Sequence, residues 1–67
     1  MARVILTDRE IEVLELSAGG FNTKGIAQIL ELSPHTVKTH IVNLRGILGS
    51  KTITQAVAKG IRQKVIK

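Results

Sequence analysis

Sixty-seven residues build at most one small domain, burying about 60% of its unfolded surface and leaving no depth for a catalytic cavity. The lack of cysteine excludes a disulfide scaffold and thiolate zinc ligation, and the single aromatic residue, Phe21, argues against modules that stack bases on aromatic platforms. Net charge is +5 but unevenly laid down: the five acids, Asp8, Glu10, Glu12, Glu15 and Glu31, outweigh Arg3, Arg9 and Lys24 before Ser33, whereas Lys38, Arg45, Lys51, Lys59, Arg62, Lys64 and Lys67 are unopposed after it, the footprint of a surface that neutralises phosphates.

Residues 1–6 carry apolar character without a cap and are expected to form an extended lead-in to a domain over 7–67. Thr7 and Glu10 make a T-x-x-E capping box, with Leu6 and Ile11 placed as a hydrophobic staple. A first helix over about 8–18 follows, with Val13, Leu14 and Ala18 toward a core and Gly19-Gly20 as its left-handed stop. Its glutamates suit the helix N-terminus but would repel DNA, so this helix is expected to be scaffold.

Asn22 caps a short second helix over about 23–30, with Ile26, Ala27 and Leu30 inward. Thr23 and Lys24 in its first turn could meet a phosphate oxygen, or could serve as ordinary capping beside a solvated lysine. Glu31-Leu32 then leads directly to Ser33, which with Pro34 opens a third helix over about 34–48. Two helices joined this closely give helix-turn-helix geometry.

Val37, Ile41, Leu44 and Leu48 recur at helical spacing along one face of the third helix. His35, Lys38, Thr39, Val42 and Gly46 project from the other face, with Arg45 at its edge. That outward face carries cations and no carboxylate, and it is narrow enough for a slot about 12 Å wide, the size of the DNA major groove. Thr52 and Gln55 make a further capping box before a fourth helix over about 53–63. Ile53, Ala56, Val57, Gly60, Ile61 and Lys64 leave it more apolar surface than one small core can use. An isologous dimer through Ile53, Val57, Gly60, Ile61 and Lys64 is the expectation, with Gly60 allowing close approach. The competing reading has Ile61, Val65 and Ile66 simply closing the core.

The segments LTDREIEVLELSAGG, NTKGIAQILEL and SPHTVKTHIVNL, closed by Leu48-Gly49, resemble the LuxR-type (GerE-like) DNA-binding domain of bacterial transcription regulators, in order from Leu6 to about Val57. The resemblance implies an all-α, four-helix domain with a central helix-turn-helix, the third helix entering the major groove and the fourth pairing two copies on a palindromic site. Carried over, Lys38, Thr39 and Val42 match positions that meet base edges; Thr23, Lys24, Thr36, Asn43 and Arg45 match or neighbour positions near the DNA backbone. The face analysis reaches Lys38, Thr39 and Val42 independently, but leaves Thr36 and Asn43 on a flank. Lysine can donate to guanine O6 and N7, whereas valine offers only apolar contact.

The chain also departs from that family. Gly25 stands where a capping glutamate is usual, which weakens the second helix by up to about 1 kcal/mol against alanine. Glu31 occupies a turn position where helix-turn-helix proteins often have glycine, at a penalty of roughly 1–2 kcal/mol if φ is positive. Gly46 and Ile47 replace basic and bulky residues, and Ile53 replaces an arginine.

Other chemistries find little support. His35 and His40 are five residues apart, about 140° around a helix, so they cannot clamp one metal as an i, i+4 pair would. His40 has no nearby carboxylate or nucleophile to complete a triad, and Glu10 and Glu12 diverge, so neither an enzyme nor a cofactor is expected. With no signal peptide and no run near 18 apolar residues, a soluble cytoplasmic protein is expected. The alternative to a DNA-binding regulator that positions or excludes RNA polymerase is a sigma-factor-like module docking on the transcription machinery; its partner binding would be insensitive to salt.

Overall fold

The computed structural model describes residues 5–66, and the lead-in expected over residues 1–6 falls mostly outside them. Four helices follow in order: α1 (Asp8–Ala18), α2 (Thr23–Leu30), α3 (Pro34–Leu48) and α4 (Ile53–Arg62). No strand occurs among the described residues, so the architecture is all-α.

Each helix begins where a side-chain oxygen replaces a missing intrahelical partner. Thr7 Oγ1 accepts from the Glu10 amide at 3.1 Å while Glu10 Oε1 accepts from the Thr7 amide at 2.9 Å, completing the reciprocal box. Glu10 is only 6% exposed, so this carboxylate is turned inward and belongs to the cap rather than to the acidic surface. Asn22 Oδ1 accepts from Gly25 N at 2.8 Å, and Ser33 Oγ from Thr36 N at 3.1 Å. Thr52 Oγ1 accepts from Gln55 N, but the Gln55 side chain accepts from Lys51 N instead of from the cap itself. The expected box of α4 is thus displaced by one residue.

The ends obey backbone sterics. Gly20 (φ 95) and Gly49 (φ 64) take positive φ after α1 and α3, where glycine has no Cβ penalty. After α1, the amides of Gly20 and Phe21 close back onto Ser17 O and Leu16 O in a Schellman arrangement. The α2–α3 turn reaches the same conformation without glycine: Glu31 is left-handed at φ 57, ψ 43, and Leu32 N bonds Ala27 O at 2.9 Å. Holding a Cβ there costs roughly 1–2 kcal/mol. Glu31→Gly is therefore expected to raise stability by about 0.5–1 kcal/mol after glycine's greater freedom in the unfolded chain is deducted, and Tm by about 3–6 °C, read by thermal denaturation. A fall in Tm would show that the Glu31 side chain contributes more than its backbone strain removes.

The core is aliphatic and continuous: Leu6, Val13, Leu14, Ile26, Ala27, Val37, Leu44, Leu48, Ala56 and Ile66 are buried together. Leu6, at the end of the expected lead-in, is buried in this core. Ile11, Leu16 and Ile41 are half-buried against this cluster, but Ala18, expected inward, is exposed. α3 packs on all three other helices, and α4 lies against both α1 and α3. Gly60 explains how closely α4 approaches α1: a Cβ at this position would stand 2.8 Å from Leu14 Cδ2 and 3.3 Å from Ile66 Cγ1. α4 ends at Arg62, one residue short of the expected end, and the backbone reverses through Lys64 (φ 60) to bring Ile66 into the core.

Candidate nucleic-acid interface

The two sides of α3 separate as the 3.6-residue repeat requires. Val37, Leu44 and Leu48 are buried, while His35, Lys38, Thr39, Val42, Asn43 and Gly46 are exposed. Since the first three anchor the helix to its neighbours, the exposed row is presented by a rigid element. Lys38, Thr39 and Val42 stand at its centre, and Val42 is 56% exposed although apolar. The Thr39 hydroxyl donates to His35 O at 3.1 Å, one turn back along its own helix.

The residues expected near a nucleic-acid backbone are not equivalent. Lys24 and Asn43 are exposed, and Thr23 is half-buried at the start of α2, beside the free amides of that helix. Thr36 is half-buried, and its hydroxyl lies 2.8 Å from Ser33 Oγ within the α3 cap. Arg45 departs from the expectation most. Its guanidinium reaches across the α3–α4 loop and donates from Nη1 to Lys51 O at 2.8 Å, so it is half-buried and engaged within the fold. Sequence reasoning missed a companion tie, in which Lys59 Nζ donates to Gly49 O at 2.7 Å. The Lys59 tie sets a cation at the C-cap of α3, where the helix dipole favours positive charge, while the Arg45 tie runs from the last turn of α3 to the loop before α4. Neither cation is neutralised, because the partners are carbonyls rather than carboxylates.

At the C-terminal end of the exposed row, Val42, Asn43, Gly46 and Ile47 line a shallow hollow with Glu10. Ile47 is 45% exposed, a second outward aliphatic group that the periodicity did not single out.

The residues expected to pair two copies divide in three ways. Ile61 is 49% exposed on α4, while Ile53 and Val57 are half-buried and line a groove with Ser17, Ala18 and Thr54, between α4 and the end of α1. Gly60 is buried, its missing side chain occupied by Leu14 and Ile66, so its close approach is made within the chain and is not offered to a second copy. Lys64 lies beyond α4 in a left-handed turn and does not share the helical face of Ile61.

Residues 4–59 match the family described as bacterial regulatory proteins, luxR family. The chain is 38% identical over 63 residues to the transcriptional regulatory protein DegU of Brevibacillus brevis, covering 94% of this chain and 27% of that protein. It is 36% identical over 63 residues to the response regulator protein VraR of Staphylococcus aureus, again over 94% of this chain and 30% of the relative. Among solved structures, the response regulator ChrA of a heme-sensing two-component system superposes with a TM-score of 0.91 at 35% identity, over 98% of this chain and 33% of that one. The transcription factor GerE superposes at 0.88 and 34% identity, over 92% of each chain. The chain thus spans less than a third of the length of DegU and VraR but matches GerE over nearly all of it.

Proposed function

This chain belongs to the luxR family of bacterial regulatory proteins, and from that premise we propose that it binds a specific double-stranded DNA sequence as a transcription regulator in the bacterial cytoplasm, α3 lying in the major groove. The observation that carries the reading is the exposed, acid-free row Lys38, Thr39, Val42 and Asn43 on a helix whose opposite face is buried through Val37, Leu44 and Leu48.

Two kinds of contact divide the work. Lys38, Thr39 and Val42 meet base edges, whereas Thr23, Lys24, Thr36 and Asn43 hold the sugar-phosphate backbone and set the register. Arg45, engaged with Lys51 O, contributes to the phosphate side through its charge more than through a free fork of donors. Lys24→Ala is accordingly expected to weaken random and specific duplexes alike and to lower the slope of log K against log salt by about 0.9, measured by titration at several salt concentrations. A loss confined to one sequence would reassign Lys24 to base reading.

The same premise supports a homodimer on a palindromic site, formed through Ile53, Val57 and Ile61 beside the α1 end, with each α3 on one half-site. Sedimentation of the chain alone and on such a site tests it, and a monomer in both conditions would overturn it. Recruitment or exclusion of RNA polymerase would follow from where the site lies. Selection of bound sequences from a random duplex pool tests the main reading: enrichment of a two-fold motif supports it, and recovery of no preferred sequence from a folded chain overturns it.

A further inference from the structure

Beside the Lys38 ammonium, the centre of the exposed α3 row offers alkyl groups from Thr39 and Val42. Thr39 and Val42 are three residues apart and therefore adjacent on one helical face, and Val42 is 56% exposed. A threonine at a base edge ordinarily offers a hydroxyl, but here the hydroxyl proton is given to His35 O at 3.1 Å. What Thr39 retains for a ligand is its γ-methyl and the acceptor lone pairs of its oxygen. One turn beyond Val42, Gly46 carries no side chain, and nothing lies within 4 Å of where its Cβ would be. The valine methyls are therefore not overtopped by the residue one turn on and face the shallow hollow that Asn43, Ile47 and Glu10 also border. Lys38, one turn before Val42, supplies the donor that the alkyl pair lacks.

In the major groove the one apolar group on a base edge is the C5 methyl of thymine, which 5-methylcytosine also carries. Resting on the DNA-binding reading, we infer that Thr39 and Val42 together form a reader of 5-methylpyrimidines, each contacting one C5 methyl within a half-site. The pair recognises the methyl group and not the remainder of the base. Replacing thymine by deoxyuridine removes the contact, while 5-methylcytosine keeps it.

The test uses the chain and a duplex recovered by selection, with each thymine of one half-site replaced singly by deoxyuridine. Two positions are expected to weaken binding about three- to fivefold each, the effect of losing one buried methyl, and the others to change little. Val42→Ala should abolish the deoxyuridine effect at one of the two positions, and Thr39→Ser at the other. Thr39→Val, which keeps methyls and discards the hydroxyl, should retain wild-type affinity within about twofold, the spread expected of a surface exchange. At either position, 5-methylcytosine paired with guanine should bind more tightly than unmethylated cytosine. Specific binding indifferent to deoxyuridine throughout the half-site would overturn the pair while leaving the DNA-binding reading intact. So would loss of affinity in Thr39→Val with retention in Thr39→Ser, since the hydroxyl would then be the reading group. Failure to select any sequence would remove the underlying reading and the pair with it.

Discussion

Val37→Asp is expected to abolish the cooperative thermal transition and leave the far-ultraviolet circular dichroism of an unfolded chain. Val37 is fully buried in the face of α3 that meets the other helices, among Leu14, Ile26 and Leu44. Aspartate would place a charge there with no described cation in the cluster to pair it, and would forfeit the valine's burial as well. An unpaired buried charge costs several kcal/mol, and the lost apolar burial adds about 1.5–3 kcal/mol. A domain of this size has about 3–10 kcal/mol to lose. Val37→Ala separates the causes: it removes volume without charge, should cost about 2 kcal/mol, and should leave a folded chain with a lowered Tm that still binds. If the aspartate variant stayed folded, α3 would not be anchored through this face and the assignment of its outward row would fail with it.

Lys38→Ala is expected to cost about 1–3 kcal/mol on the selected sequence, roughly 5- to 150-fold in affinity, with preference relaxed at one base pair. The lysine is exposed, and alanine is at least as good a helix former, so the fold should be unchanged and Tm shifted little. Its expected partner is guanine, through O6 and N7, which an ammonium can reach as a point charge. Titration against a set of duplexes varied at one position should show the preference collapsing there and persisting elsewhere. Equal losses on specific and random DNA would place Lys38 among the backbone contacts with Lys24.

The helix frame was legible because its punctuation is local. Thr7, Asn22, Ser33 and Thr52 each satisfy an amide three residues on, and Gly20 and Gly49 each supply a positive φ, so pattern and spacing locate the ends to within a residue. The outward row of α3 was legible for a related reason: once Val37, Leu44 and Leu48 face inward, helical geometry determines what remains outside. The side-chain ties were not legible. Arg45 to Lys51 O and Lys59 to Gly49 O depend on how α4 folds back over the loop, and nothing in six- or ten-residue spacing announces a carbonyl partner. Gly60 was misread on the same account, since permissiveness identifies a close approach without naming its occupant, which is Leu14. Glu31 showed the limit from the other direction. Its position demanded a left-handed residue, and the chain adopts that conformation without the amino acid that favours it.

The ties at the end of α3 bear on how two copies would be spaced. α4 is the element proposed to join the copies and α3 the element proposed to read, so the angle between them sets the span from one half-site to the next. That angle is held partly by a guanidinium and an ammonium, each gripping a neutral oxygen of the intervening loop. On that proposal, operator geometry would be governed in part by two side chains that touch neither base nor partner, much as a caliper's reach is governed by its pivot.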